Sequence, residues 1–79
     1  MNLEDALDTI LYGARELCDE PDGTTLECLG GDEMTSIYCG NGYAYVRNVV
    51  HHGGDAEQME LWTRGDSPDV LQAVEVLRA

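Results

Sequence analysis

Apolar residues recur at helical spacing in the first part of the chain. One stripe contains Leu3, Leu7, Ile10, Leu11, Ala14, Leu17 and Cys18. This spacing predicts an amphipathic helix over residues 3–18. Asn2 is a suitable N-cap, Asp5 completes a capping-box pattern, and Pro21 with Gly23 ends the segment.

From residue 24 to residue 64 the apolar period shortens to two, which is typical of strands. Four strands are predicted, over residues 24–29, 34–39, 43–50 and 59–64, with longer connections at 30–33 and 51–58. Asn41 and Gly42 suit the two positive-φ positions of a type I′ turn. A turn centred there pairs Gly40 with Tyr43 and, further along, Ser36 with Arg47.

This register divides the strand residues between two faces of the predicted sheet. The apolar face contains Leu26, Cys28, Ile37, Cys39, Ala44, Val46, Val50, Met59 and Leu61. The other, which we call the aromatic face, contains Tyr38, Tyr43, Tyr45, Arg47, Trp62 and Arg64. Pairing of the third and fourth strands brings Arg47 opposite Trp62 and Tyr45 opposite Arg64.

A second helix begins near residue 67. Ser67 is a suitable N-cap, Pro68 suits the first helical position, and Asp69 suits the positive end of the helix. The order of elements predicts one α+β domain over residues 1–79. We expect a two-layer sandwich, in which both helices cover the apolar face of a four-stranded antiparallel sheet and leave the aromatic face uncovered.

Composition limits the classes of function. The 79 residues carry a formal net charge of -12, with four arginines and no lysine. A chain this short has little apolar surface to spare for a deep catalytic cleft. Direct binding to nucleic acid is disfavoured because cations supply most of that affinity. The expected partner is a basic protein, in particular a nucleic-acid-binding complex.

The three cysteines suggest a reducing compartment. Cys18, Cys28 and Cys39 form no C-x-x-C pair, and no basic and apolar leader precedes them. No apolar run reaches membrane-spanning length, so no membrane association is expected. We expect free thiols in a cytoplasmic protein, the host cytoplasm if the gene belongs to a phage.

No catalytic, metal-binding or cofactor-binding motif is predicted. The cysteines are ten and eleven positions apart, which does not fit the close pairs of structural zinc sites, although His51 and His52 would add suitable atoms. A cysteine nucleophile lacks an oxyanion-forming turn beside it. The prediction is a protein that is not an enzyme and has no cofactor.

Two groups of side chains form candidate protein-binding surfaces. The first is a set of carboxylates on the exposed side and far end of the predicted first helix: Glu4, Asp5, Asp8, Glu16, Asp19 and Glu20. The second, on the aromatic face, comprises Tyr38, Tyr45, Arg47, Trp62 and Arg64, types that dominate binding hot spots. The same face is the expected surface of a homodimer. Strand propensity with arginines shielding the rings explains these residues equally well.

In compactness and charge the chain resembles anti-CRISPR and anti-restriction proteins as a broad class. That resemblance implies a small non-enzymatic inhibitor, encoded by a phage or mobile element, that occludes a basic nucleic-acid-handling host protein, with its carboxylates mimicking DNA phosphates. The alternative is a cytosolic interaction or adaptor domain of a halophile, whose acidic surface is an adaptation to salt.

Overall fold

The predicted α+β class is confirmed by the computed structural model, which describes residues 1–51 and 58–79. Its elements are α1 (Leu3–Gly13), β1 (Glu16–Cys18), a 3-10 turn (Gly23–Thr25), β2 (Glu27–Gly31), β3 (Thr35–Gly40), β4 (Tyr43–His51), β5 (Gln58–Gly65) and α2 (Pro68–Arg78). All strand pairs are antiparallel, in the order β1-β5-β4-β3-β2. The described sheet therefore has five strands rather than four. Most of the predicted 51–58 connection, including His52, lies outside the described residues.

The additional strand comes from the second half of the predicted first helix. α1 ends at Gly13, and Ala14 leaves helical geometry with φ -88° and ψ 77°. Residues 16–18 pair with β5 instead, with Glu16 opposite Arg64. The predicted helix to residue 18 is wrong because this tertiary pairing outweighs a weak local helical preference.

Both predicted helix starts are confirmed. Asn2 Oδ1 accepts a hydrogen bond from the backbone N–H of Asp5 at 2.8 Å, and Ser67 Oγ accepts one from Val70 at 3.3 Å. The helices then pack closely, since a Cβ added to Gly13 would overlap Cγ2 of Val70. Glycine at this position allows that approach.

The turn at Asn41 and Gly42 sets the register of β3 and β4 as predicted. Both residues have positive φ, 55° and 82°, and the pairing runs from Gly40 opposite Tyr43 to Ser36 opposite Arg47 and beyond. Further pairing places Arg47 opposite Trp62, as the sequence indicated.

The register of β2 differs from the prediction. A 3-10 turn occupies Gly23–Thr25, so the strand starts three residues later than predicted, and an irregularity follows between Cys28 and Gly30. Cys28 therefore lies opposite Tyr38, on the aromatic face, and it is exposed. Its predicted place on the apolar face is wrong.

One hydrophobic cluster joins both helices to the sheet. Its buried members are Ala6, Ile10, Ala14, Ile37, Cys39, Ala44, Val46, Val70, Ala73 and Val74. Ile37, Cys39, Ala44 and Val46 are the central positions predicted for the apolar face. Small side chains predominate, so helices and sheet approach closely, and a Cβ on Gly65 would lie 2.6 Å from the carbonyl oxygen of Gly13.

The connection between β1 and β2, residues 19–26, joins opposite edges of the sheet. We call it the crossover segment. The side chain of Asn41 donates a hydrogen bond to Thr25 Oγ1 at 3.2 Å, and a Cβ on Gly40 would meet the Thr25 carbonyl oxygen at 2.6 Å. Since Gly40 alternates with Tyr38, these contacts place the segment across the aromatic face.

Candidate functional site

An acidic groove lies where the first helix meets the start of the second. Its volume is about 490 Å³, and it is open to solvent. Its lining residues are Asp5, Asp8, Thr9, Tyr12, Gly13, Ser67, Asp69 and Val70. The two helices thus contribute carboxylates to a single concave surface.

Helix capping positions the groove's side chains. The caps at Asn2 and Ser67 hold the first turns of α1 and α2, and Asp5 and Asp69 lie in those turns. Carboxylates are stabilised there by the positive end of the helix dipole. Tyr12 follows Asp8 one turn later and is 73% exposed, so its ring borders the groove and is available to a partner.

The structure divides the predicted carboxylate set. Glu4, Asp5 and Asp8 lie on α1 as predicted. Glu16 lies in β1 instead of at a helix end, where its Oε1 accepts a hydrogen bond from Arg64 Nη2 at 3.0 Å. Asp19 and Glu20, predicted at the same helix end, are exposed in the crossover segment.

Sequence reasoning missed the contributions of Asp69 and Tyr12 to the groove. The sequence predicts Asp69 only as part of a helix start, and no sequence pattern assigns Tyr12 to a site. No spacing rule links residue 69 to residue 8, because the packing of α1 against α2 brings them together. The closest sequence signal was Gly13, a small residue that permits helices to approach.

Three of the four arginines have carboxylate partners. Arg47 Nη1 lies 3.6 Å from Glu60 Oε1, and Arg64 forms its pair with Glu16. Arg78 Nε lies 3.0 Å from Glu27 Oε2, and Arg78 Nη1 lies 3.5 Å from Glu75 Oε1. The interaction with Glu16 raises the pKa of Arg64. Each of these three guanidinium charges is therefore balanced locally by a carboxylate.

The aromatic face carries two pairs of rings in tilted contact. Tyr38 and Trp62 have ring centroids 5.5 Å apart, and those of Tyr43 and Tyr45 are 5.9 Å apart. The Arg64 guanidinium lies over Tyr43, 4.5 Å from its ring centroid. Such contacts explain how arginine and aromatic side chains occupy one face without a partner.

Part of the aromatic face is covered by other residues of the chain. Tyr45 is only 4% exposed and Trp62 only 7%. A cleft beside Tyr45 is lined by Leu17, Cys18, Asp19, Pro21, Asp22, Asn41 and Arg64, which shows that the crossover segment lies next to it. The prediction that the whole aromatic face is uncovered is therefore wrong. Tyr38, Tyr43, Arg47 and Arg64 remain partly exposed.

The three cysteines are free thiols in different surroundings. Cys39 is buried, and its Sγ donates a hydrogen bond to Glu27 Oε2 at 3.6 Å. Burial raises the pKa of Cys39, and the Glu27 carboxylate raises it further. Burial also raises the pKa of Cys18, although Arg64 opposes the shift.

Within residues 1–51 and 58–79, no group of three or more His, Cys, Asp or Glu side chains could hold a metal ion. In the same ranges, no helix has the length and apolar character needed to span a membrane.

No protein-family model matches the sequence, and no curated protein or solved structure matches it significantly.

Proposed function

We propose that this protein is a small acidic, non-enzymatic inhibitor that binds a basic nucleic-acid-handling protein and occludes its nucleic-acid site. The observation that carries the proposal is the acidic groove, where Asp5, Asp8 and Asp69 meet on two packed helices beside the exposed ring of Tyr12. Complementary charge of this kind favours a lysine-rich or arginine-rich partner.

The mechanism is competition by charge and shape. The carboxylates occupy positions that the target would offer to phosphates, while Tyr12 provides a ring on which a target arginine can stack. The chain needs no catalytic group for this. It acts as a phage-type inhibitor of the anti-CRISPR or anti-restriction kind, in the cytoplasm that contains its target.

We also propose that both helices lie on one side of the sheet. Buried residues of both helices share one cluster with Ile37 and Val46, which supports placing both helices on one side of the sheet. The length of α1 and the first turn of α2 then jointly form the groove. Tyr45 and Trp62 stabilise the other side of the sheet, so we assign the main contact surface to the groove and a lesser role to Tyr38, Arg47 and Arg64.

Capture from a host lysate tests this proposal. Immobilised wild-type protein should retain a basic nucleic-acid-binding protein, and added DNA should compete with it. The double variant Asp8→Asn and Asp69→Asn removes one carboxylate from each helix and should weaken binding about tenfold, as expected for two close charge pairs.

A matched variant controls for overall charge. Glu33→Gln with Glu75→Gln removes the same charge at exposed positions outside the groove lining, and it should change affinity by less than about twofold. The wild-type complex should also weaken as salt rises. A complex insensitive to salt, or equal losses in the two double variants, would contradict the proposal.

The halophile adaptor remains the second candidate, because the acidic groups extend well beyond the groove. Asp19, Glu20, Glu33 and Glu75 are all exposed elsewhere on the surface. A halophile's domain should be unfolded in dilute buffer and fold in molar salt. A phage inhibitor must already be folded at about 0.15 M salt. Thermal melting at both concentrations separates the two.

A further inference from the structure

The outer edge of β1 is open to solvent. Within residues 1–51 and 58–79, this strand is the first in the sheet order and pairs only with β5. Leu17, its middle residue, lies opposite Thr63 but is 69% exposed. An edge strand that exposes backbone groups beside a large apolar side chain is a surface on which another strand can pair.

An arginine side chain directly precedes β1 in the chain. Arg15 is exposed, and within the described residues it is the one arginine without a carboxylate at ion-pair distance. It borders a cleft lined by Leu11, Tyr12, Ala14, Arg15, Asn48 and Thr63, none of them acidic. A surface with an unpaired cation and no adjoining carboxylate is unusual on a chain of net charge -12. A strand that carries a carboxylate would complement the charge of Arg15.

A second copy of the same chain provides such a strand. We propose that two copies associate through antiparallel pairing of their β1 strands, with Leu17 on the twofold axis. In this register each Leu17 faces its equivalent, and Arg15 of each copy lies opposite Asp19 of the other. Residues 15, 17 and 19 are alternate positions, which share one side of an extended chain. The interface therefore has an apolar centre between two opposite-charge pairs.

Charge explains why the occupant is a second copy. A basic partner would bring its cations against Arg15, whereas a copy offers Asp19 at the required position. The net charge opposes association, but the screening length at about 0.15 M salt is only about 8 Å, so distant carboxylates contribute little. The two sheets become continuous, and the interface differs from the predicted dimer through the aromatic face. It does not depend on the function proposed above.

Sedimentation equilibrium of the full chain tests the dimer. At about 0.15 M salt the wild type should dimerise, and Leu17→Asp should be monomeric without loss of the fold, since Leu17 is largely exposed. Asp19→Arg should weaken the dimer about tenfold or more, because it converts two attractive pairs into repulsive ones. It does so although each copy becomes less negative.

Two variants distinguish local pairing from net charge. Asp8→Arg makes the same charge change on α1, away from β1, and should leave dimerisation equal or stronger. Combining Arg15→Asp with Asp19→Arg should restore the wild-type dissociation constant. A chain that is monomeric up to about 1 mM overturns the proposal, and so does a dimer in which Asp19→Arg and Asp8→Arg behave alike.

Covalent trapping locates the interface. With Cys18 and Cys28 replaced by serine, Leu17→Cys should form a disulfide-linked dimer under mild oxidation, because the two residues 17 face each other. Leu71→Cys, at an exposed leucine on α2, is the matched control and should cross-link far more slowly. Equal rates for the two variants would reject the register.

Discussion

Tyr38 and Trp62 pack with their tilted ring centroids 5.5 Å apart, although the two residues belong to strands that are not neighbours in the sheet. β4 lies between them, and its Arg47 is opposite Trp62. The indole also donates a hydrogen bond from Nε1 to Glu60 Oε2 at 3.3 Å. These contacts form a second packed layer on the aromatic face, so its residues stabilise the fold.

Replacing the indole should therefore cost stability. We expect Trp62→Ala to lower the free energy of unfolding by about 3–5 kcal/mol, as for other buried aromatic truncations. Urea denaturation measures the loss. Tyr12→Ala, at an exposed ring, is the control and should change the free energy little. An unchanged midpoint for Trp62→Ala would show that the aromatic face is a free contact surface.

Gly13 should resist substitution by even one methyl group. A Cβ at this position overlaps Val70 Cγ2, so Gly13→Ala should destabilise the protein by about 1–3 kcal/mol despite alanine's better helix propensity. Adding Val70→Ala should recover part of that overpacking cost. Gly23→Ala, where no atom lies within 4 Å of the added Cβ, should have a much smaller effect. Equal midpoints for Gly13→Ala and wild type would contradict the packing.

The thiols should react in the order of their exposure. Cys28 is exposed, Cys18 is partly buried and Cys39 is buried with a raised pKa, so a disulfide reagent at neutral pH should modify Cys28 first and Cys39 last. Stopped-flow absorbance resolves the phases. Cys28→Ser should abolish the fastest phase, and a fast phase that survives in this variant would contradict the assignment.

Asp32 should stabilise the fold in a defined pH range. Backbone N–H groups of Thr35 and Met34 donate hydrogen bonds to Oδ1 at 2.9 and 2.8 Å and lower its pKa from the ordinary value of 3.8. A lowered folded-state pKa contributes stability above the unfolded value, and that contribution is lost as pH falls through the folded value.

The stability difference between wild type and Asp32→Ala should therefore be constant at neutral pH. It should shrink as pH falls below about 3.8, the ordinary value, and through the lower folded-state pKa at which the wild-type carboxylate becomes protonated. Thermal melting of both proteins across this range measures the difference. A difference that grows on acidification would contradict the hydrogen-bond assignment.

Local sequence signals predicted the elements whose determinants are local. The caps at Asn2 and Ser67 and the turn at Asn41 and Gly42 depend on residues within a few positions of one another. Pairing of β3 with β4 followed from that turn, and the cross-strand pair of Arg47 with Trp62 followed from the alternation of side chains.

What the sequence failed to predict depends on distant parts of the chain. Leu17 and Cys18 continue the helical spacing of α1, but their strand conformation is determined by pairing with Thr63 and Trp62 of β5, far along the chain. The sequence likewise does not predict that the crossover segment lies beside Tyr45, because the two are also far apart in the chain. Likewise, Asp8 and Asp69 line one groove because α1 packs against α2. The hydrophobic period of a helix predicts which of its faces is buried, but it does not predict which element covers that face.

The pairing of β1 with β5 affects how the chain can fold during synthesis. Glu16 emerges from the ribosome long before Arg64, its partner across the ladder. The segment containing β1 must therefore remain unpaired until β5 has been synthesised. The hairpin of β3 and β4 can form first, and the N-terminal edge of the sheet closes only after β5 has left the exit tunnel.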